Sequence, residues 1–170
     1  RLLHAFVNHE LLALELLSLA ILRFPDADPK LRRAWVATAV DEQRHLRMYL
    51  DRMATTGVAL GEEQVSRFFW EALSDAPTPL ALTVGLGLVL EQANLDFSRS
   101  WRRAFAEAGD ETTARVLDQV YEDEIRHVRL AANHLRSATP PGTSAFDRFR
   151  AEVRFPLSPA RKRSNALVPG

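Results

Sequence analysis

The chain has 170 residues, and its 22 Lys and Arg balance its 22 Asp and Glu, so the formal net charge is zero. This length fits one domain with a sizeable core, and zero net charge gives no general attraction to nucleic acid or to an anionic membrane. The absence of cysteine excludes disulfide bonds, thiolate metal sites and cysteine nucleophiles. The apolar run 11–22 is too short to span a bilayer and lacks the layout of a secretory signal, so we expect a cytoplasmic protein.

Four long amphipathic segments predict four helices. They run from about residue 2 to 24, from about 29 to 56, from about 79 to 108 and from about 110 to 138. Asp28 and Thr78 are suitable N-cap residues, each followed by a proline in the first helical turn. Gly57 and Gly109 are typical of helix C-termini.

The links between the helices predict an all-α, four-helix bundle. Short links make helices 1 and 2, and helices 3 and 4, two antiparallel hairpins, and the long crossover at 57–77 joins them. This crossover contains "SRFFWEAL", which predicts a short helix of its own. Residues 1–138 would form the bundle. The Pro- and Phe-rich tail 139–170 would carry a short helix near 144–153 and pack on the bundle through Phe146, Phe149 and Phe155.

A five-residue motif occurs twice: "DEQRH" at 41–45 and "DEIRH" at 123–127. In each copy the Glu and the His are three residues apart, so they lie on the same helical face. Apolar residues at helical spacing surround both pairs, which predicts that Glu42, His45, Glu124 and His127 face the core. Unpartnered carboxylates are costly to bury, so these residues need either arginine partners, such as Arg44 and Arg126, or metal ions.

Helices 1 and 3 supply two further acids. "HELLALELL" in helix 1 aligns with "LEQANLDFS" in helix 3, which matches Glu10 with Glu91. Glu10 and Glu42 lie equally far from the first turn, whereas Glu15 would be displaced along the axis by roughly 7 Å at 1.5 Å per residue. We therefore expect Glu10 to face inward. Glu91 is expected by its match to Glu10, with Asp96 as the alternative.

These six residues are four carboxylates and two imidazoles, which suit two metal ions. Two divalent cations would neutralise four carboxylates, so the site can lie in a core. Oxygen donors with one imidazole per ion favour iron or manganese over zinc, and two adjacent ions can act together on one small ligand. We expect two iron ions, with a manganese or mixed pair as the alternative. The predicted ligands are Glu10, Glu42, His45, Glu91, Glu124 and His127.

Asp41 and Asp123 each precede the Glu of a repeated motif. A metal-binding histidine usually donates its second N–H to a carboxylate or a carbonyl group. We expect crossed pairs, Asp41 with His127 and Asp123 with His45. The alternative is that both are solvent-facing helix acids. Arg44 and Arg126 would pair with these acids or with Glu15 and Asp96.

Three other residues, Tyr121, Gly87 and Asn94, lie near the expected ligands in the sequence. Tyr121 precedes Glu124 by three residues, so it is a candidate donor of a proton or an electron, or a core residue. Gly87 and Asn94 flank Glu91 by about one turn on either side. Their small or polar side chains would leave a cavity, and helix packing is the alternative explanation.

The chain resembles the ferritin-like di-iron superfamily. The segments that carry the resemblance are "NHELLALELL", "DEQRHLRMYLDRM", "LEQANLDF", "VYEDEIRHVR" and the tail "FPLSPAR". They are most similar to an uncharacterised bacterial family of ferritin-like domains, and more distantly to tRNA isopentenyl-adenosine hydroxylases. The resemblance implies a di-iron site at the six residues. Bacterioferritins carry a haem-binding Met where this chain has Gln43, so no haem is expected.

The resemblance implies an oxidase or hydroxylase that activates dioxygen for a small-molecule substrate, with an electron donor that the sequence does not identify. Ferroxidase or iron-storage activity is the first alternative, and a metal-free helical interaction module is the second. Nucleic acid is not an expected partner, although tRNA binding stays open, and so does a homodimer. These expectations rest on analogy of fold and ligands.

Overall fold

The computed structural model describes residues 1–153, and within that range all regular structure is helical. Its elements are α1 (Leu2–Arg23), α2 (Pro29–Ala54), α3 (Phe68–Leu73), α4 (Pro79–Gly85), a π-helical segment (Leu86–Glu91), α5 (Gln92–Glu107), α6 (Glu111–Ser137) and α7 (Ala145–Glu152). The prediction of an all-α protein is confirmed for the described residues. The helix bounds lie within two residues of those expected from the sequence.

Local capping explains where the long helices begin and end. The Asp28 side chain accepts hydrogen bonds from two first-turn N–H groups, and Pro29 occupies the first helical position. The Thr78 hydroxyl accepts from the N–H of Ala81 at the start of α4. Gly109 ends α5 with a φ of +80°, a conformation that residues with a Cβ rarely adopt. These caps satisfy backbone groups that the helices themselves leave unpaired.

The four long helical stretches pack in pairs. α1 lies along α2, and α5 lies along α6, each pair joined by a short turn. α2 and α6 contact each other and connect the two pairs. Two apolar clusters fill the interior, one around Leu16, Trp35 and Leu82 and the other around Tyr49 and Leu117. The motif-bearing faces of α2 and α6 are therefore buried between the pairs.

The stretch from Pro79 to Glu107 departs from the expected continuous α-helix. Its middle, Leu86–Glu91, is π-helical, with a wider turn than the α4 and α5 segments on either side. A π-helical turn inserts one extra residue, which changes the direction of every side chain that follows it. The sequence analysis predicted one uninterrupted helix here and missed the insertion, because helical periodicity contains no signal for it.

Two side chains of α1 hold the crossover between α2 and α4. The buried His4 accepts a hydrogen bond at Nε2 from the N–H of Gly61, at 3.0 Å. Asn8 donates from Nδ2 to the carbonyl oxygen of Ser66, also at 3.0 Å. The crossover is thus attached to α1, and the expected short helix α3 lies within it.

The helix α7 begins at the expected position, with the Ser144 hydroxyl accepting from two first-turn N–H groups. Phe149 packs against Leu80, Val84 and Leu135, as expected. The expectation for Phe146 was wrong, because this side chain is 65% exposed. Phe146 stacks on Phe149 from the solvent side, so it cannot share the buried contact. Phe155 lies outside the described residues.

Two helices are long and apolar enough to cross a membrane by length and composition, Leu2–Arg23 and Pro79–Glu107. The first contains the apolar run 11–22 and extends beyond it toward the N-terminus. About half of each apolar stretch is buried inside the protein, and this also fits core helices of a bundle. Their apolar composition therefore does not distinguish a core role from a membrane role.

Candidate metal centre

The structure brings together the six residues with the predicted ligand pattern. α1 contributes Glu10, α2 contributes Glu42 and His45, the π-helical segment contributes Glu91, and α6 contributes Glu124 and His127. All six are buried, with exposed fractions of 5% or less. They form two overlapping groups in which one ligand atom per residue lies within 4.8 Å of the others. One group is Glu10, Glu42, His45 and Glu124, and the other is Glu42, Glu91, Glu124 and His127.

The two groups share Glu42 and Glu124. His45 Nδ1 lies 3.5 Å from an oxygen of Glu10 and 3.5 Å from an oxygen of Glu42. His127 Nδ1 lies 3.1 Å from the other Glu42 oxygen and 3.3 Å from Glu124. Each histidine therefore directs the same nitrogen at the carboxylates, and Glu42 lies between the two rings.

The alternative acids point away from this cluster. Glu15 and Asp96 are both exposed, whereas Glu10 and Glu91 are buried. This agrees with the prediction from the first hairpin, in which Glu10 and not Glu15 lies as far from the turn as Glu42. For helix 3 the register was ambiguous, and the π-helical segment determines the outcome because it ends at Glu91 and turns that side chain inward.

Asp41 and Asp123 contact the far sides of the histidine rings in a crossed arrangement. His45 Nε2 lies 3.1 Å from Asp123, and His127 Nε2 lies 3.2 Å from Asp41. Since a carboxylate only accepts hydrogen bonds when ionised, these contacts place a proton on each Nε2 and leave Nδ1 directed at the cluster. Each contact joins α2 to α6, so it also orients one helix against the other.

Two arginines balance these outer carboxylates. Arg44 contacts Asp123 at 2.6 Å and Asp41 at 2.9 Å, and Arg126 contacts Asp123 at 2.5 Å and Asp41 at 3.3 Å. The arginines therefore pair with the aspartates, not with Glu42 and Glu124. The outer layer is electrically neutral by itself, so it does not compensate the charge of the four inner carboxylates.

Without a metal, the inner cluster takes up protons. Burial raises the pKa of Glu10, Glu91 and Glu124, and repulsion from neighbouring carboxylates raises it further. Burial lowers the pKa of His45, but the nearby carboxylates of Glu10 and Glu42 outweigh this and raise the pKa to about 10. The same competition, with Glu124 and Glu42 as partners, raises the pKa of His127 to about 12.

The pKa is lowered, not raised, at the central acid Glu42 and at the outer acid Asp123. Burial raises the pKa of Glu42, but the nearby rings of His127 and His45 lower it to about 2. Burial raises the pKa of Asp123 as well, and its contacts with His45, Gln119 and the arginines lower it well below the ordinary range. Protonated histidines thus supply the positive charge that the carboxylates need in the metal-free chain.

Unpaired atoms at the centre of the cluster fit a pair of cations. Three buried atoms have no hydrogen-bond partner within the described chain. They are the two carboxylate oxygens of Glu42 and Nδ1 of His45. Burying such atoms without a partner costs about 1–3 kcal/mol each. Two divalent cations would satisfy these atoms and cancel the four negative charges. The donor set, oxygen-rich with one imidazole in each group, suits this purpose.

Gly87 allows the π-helical segment to approach α6 closely. A Cβ atom placed on Gly87 would lie 2.4 Å from the Cβ of Ala131 and 3.4 Å from Oε2 of Glu91. Next to this contact is a cavity of about 20 Å³, against Glu91 and His127. Asn94 donates from Nδ2 to Glu124 at 3.4 Å, so it contacts the cluster directly. The π-helical segment therefore packs closely against α6 directly beside this small cavity.

The two tyrosines of the chain lie in different surroundings. Tyr121 is half-buried and lines a groove between α5 and α6, beside Arg99 and Arg102. Tyr49 is fully buried, and its hydroxyl has no hydrogen-bond partner within the described chain. Burial raises the pKa of Tyr49, and the charges of Glu10, Glu124 and Glu42 raise it further.

The sequence analysis did not connect Tyr49 with the cluster. A signal was present in the spacing. Tyr49 follows His45 by four residues and Glu42 by seven, so the three share one face of α2.

The fold and the site together define an all-helical protein with a buried carboxylate–histidine cluster that could hold metal ions. A sequence profile of the family described as protein of unknown function (DUF455) matches residues 1–165, so the chain belongs to this family. Comparisons with curated proteins and with solved structures found no match.

Proposed function

We propose that the protein is a ferritin-like four-helix bundle that binds two metal ions, iron in the first place, and activates dioxygen. The observation that carries this proposal is the pair of four-residue groups sharing Glu42 and Glu124. Glu10 and His45 would belong to one ion, Glu91 and His127 to the other, and the shared carboxylates would bridge them. Manganese or a mixed pair remains the alternative.

Two iron(II) ions bound here would supply two electrons to dioxygen. The residues around them would hold the site in a defined state. Asp41 and Asp123 keep the Nε2 proton on each histidine, so Nδ1 is free to donate its lone pair. The buried helices exclude water from the carboxylates, which strengthens their interaction with cations. We propose an oxidase or hydroxylase in the cytoplasm, with a substrate and an electron donor still to be identified.

Tyr49 and Tyr121 are two candidates for a group that supplies a proton or an electron during oxidation. Tyr49 has the unpartnered hydroxyl near the carboxylates, whereas Tyr121 lies beside the outer groove. The variants Tyr49→Phe and Tyr121→Phe separate the two, because each removes one hydroxyl and retains the ring. Slower oxidation of bound iron(II) in one variant alone would assign the role to that residue.

A second candidate function is the oxidation of iron(II) itself. The cavity that adjoins Glu91 and His127 measures about 20 Å³, which suits a diatomic molecule and not an organic substrate. A ferroxidase needs no organic-substrate pocket. Iron storage would in addition require a closed shell of many subunits. Oxidation of many more than two iron ions per chain would favour this candidate, and the mass in solution would identify a shell, a homodimer or a monomer.

The decisive experiment measures metal content. The wild-type chain and the double variant Glu42→Gln/Glu124→Gln are loaded anaerobically with iron(II) and analysed for bound metal. Glutamine retains the side-chain volume and removes both shared charges. The matched control, Glu15→Gln/Glu122→Gln, removes two exposed acids from α1 and α6.

We expect about two irons per chain in the wild type and the control, because two divalent ions neutralise the four carboxylates. The double variant should lose most of this metal. Exposure to oxygen should then change the visible absorption of the loaded wild type and of the control, but not that of the double variant. Absence of bound iron or manganese in the wild type would contradict the proposal and favour a metal-free helical module.

A further inference from the structure

The cavity beside Glu91 and His127 is enclosed mainly by apolar side chains, including Leu17, Leu86 and Ala131. These three residues are nearly inaccessible to solvent, with exposed fractions of 3% or less. The volume of about 20 Å³ exceeds the roughly 10–15 Å³ that one water molecule requires. The cavity thus has room for a single guest of about two heavy atoms, in contact with the candidate metal centre.

Two of the polar residues at the cavity wall, Thr83 and His127, are already engaged. The Thr83 hydroxyl donates to the carbonyl oxygen of Pro79 at 2.8 Å and accepts from Nε1 of Trp35 at 3.0 Å. Both ring nitrogens of His127 face carboxylates. A buried water needs two to four polar partners, whereas an apolar guest needs none. Most of the surface that faces the cavity is apolar, with Thr38 and Glu91 as the other polar residues, so the lining favours an apolar molecule over water.

Three small side chains limit the size of the guest. Gly87 and Ala131 meet at the wall, and a Cβ on Gly87 would overlap the Ala131 Cβ at 2.4 Å. Thr38 lines the cavity from α2, one turn before Glu42. Larger residues at these positions would occupy the space that the cavity now provides.

We infer that this cavity is a docking site for dioxygen, an apolar diatomic gas, and that Thr38, Gly87 and Ala131 set the upper size of its guest. The use of the bound gas as an oxidant rests on the proposed function. The binding itself does not, because it depends only on the volume and the lining of the cavity in this chain.

The test uses dioxygen as the probe and the metal-free chain as the sample. Dissolved dioxygen is paramagnetic, so it accelerates the relaxation of methyl protons that it approaches. Methyl relaxation is measured by NMR under dioxygen and under nitrogen. We expect a several-fold larger enhancement at Leu17, Leu86 and Ala131 than at Leu16 and Leu117, which are equally buried but do not line the cavity. Equal enhancement at all five residues would overturn the inference.

Two variants at one position provide the matched comparison. Thr38→Ile adds volume at the wall and should remove the excess enhancement, whereas Thr38→Ser removes a methyl group and should retain it. Loss of the effect in both variants, or in neither, would contradict the assigned role of Thr38. If dioxygen docks but iron does not bind, the proposed function fails and this inference stands. If iron binds but the lining methyl groups show no excess, the inference fails alone.

Discussion

At the scale of single residues, the two histidines connect an inner and an outer layer of charge. His45 and His127 direct Nδ1 at the buried glutamates and Nε2 at Asp123 and Asp41. The outer aspartates are neutralised by arginines, while the inner glutamates depend on protons or cations. A change in the outer layer should therefore weaken metal binding without removing a ligand.

The variant Asp123→Asn tests this division of roles. We expect it to bind metal about 10–100-fold more weakly, because the carboxylate that orients His45 is lost while all six inner residues remain. Metal affinity is measured by competition with a chelator of known strength. The control is Asp118→Asn, which removes an exposed acid of α6 that pairs with Arg102. Equal affinities in both variants would show that Asp123 has no orienting role.

The pKa shifts of the cluster predict how pH affects the metal-free chain. The pKa of His45 is raised from 6.5 to about 10, so its protonation stabilises the fold fully below pH 6.5. This contribution is lost as the pH rises through 10. The raised pKa of Glu10, Glu91 and Glu124 acts in the same direction, because their ionisation becomes unfavourable above the ordinary value of 4.5.

We therefore expect the melting temperature of the metal-free chain to fall between pH 6.5 and pH 9. The metal-loaded chain should change much less, because cations replace the protons that the cluster loses. Circular dichroism follows both melting curves in the same buffers. Parallel curves for the metal-free and loaded chains would contradict the linkage between protons and metal at this site.

At the scale of secondary-structure elements, the π-helical segment is the feature that positions the site. It turns Glu91 toward the cluster and brings Gly87 against Ala131. π-Helical turns are rare and frequently occur at functional sites. Here the wide turn accommodates an inward carboxylate and a close helix contact within the same six residues.

The variant Gly87→Ala tests the close contact of this segment with α6. The added Cβ would overlap that of Ala131, so we expect the free energy of unfolding to fall by about 1–3 kcal/mol. Chemical denaturation measures the change. The double variant Gly87→Ala/Ala131→Gly removes the opposing methyl group and should recover most of the stability. An additive loss in the double variant would mean that the two residues do not oppose each other.

At the scale of the whole molecule, α7 packs against α4 and α6. Phe149 packs against Leu80, Val84 and Leu135, while Phe146 remains mostly exposed. The tail helix thus adds to the apolar core through one of its two aromatic residues. This contact supports the expected packing of the C-terminal region for the part of the chain that the structure describes.

Phe149→Ala and Phe146→Ala form a matched pair that measures this packing. We expect the first to lower the free energy of unfolding by about 1–2 kcal/mol, because it exposes apolar surface, and the second by less than about 0.5 kcal/mol. Both substitutions remove the same atoms from one short helix. Equal effects would indicate that α7 does not contribute through its buried side.

The helices and most residues of the candidate site could be predicted from the sequence alone. Helical periodicity, the caps at Asp28 and Thr78, and the glycine at 109 depend on interactions within a few residues, so the helices could be predicted closely. The repeated Glu-x-x-His motif is also local, since a spacing of three residues places both side chains on one face. The assignment of Glu10 needed one further step, the register of a short hairpin.

Tertiary structure decided the remaining features, because they depend on residues that are distant in the chain. The π-helical segment contains the contact of Gly87 with Ala131 and ends at Glu91, which is buried whereas Asp96 is exposed. Arg44 and Arg126 pair with aspartates because α2 and α6 cross there. The unpartnered hydroxyl of Tyr49 and the cavity near His127 arise from the way in which the helix pairs close around them. Such through-space contacts leave no periodic pattern in any single segment, so only the folded chain reveals them.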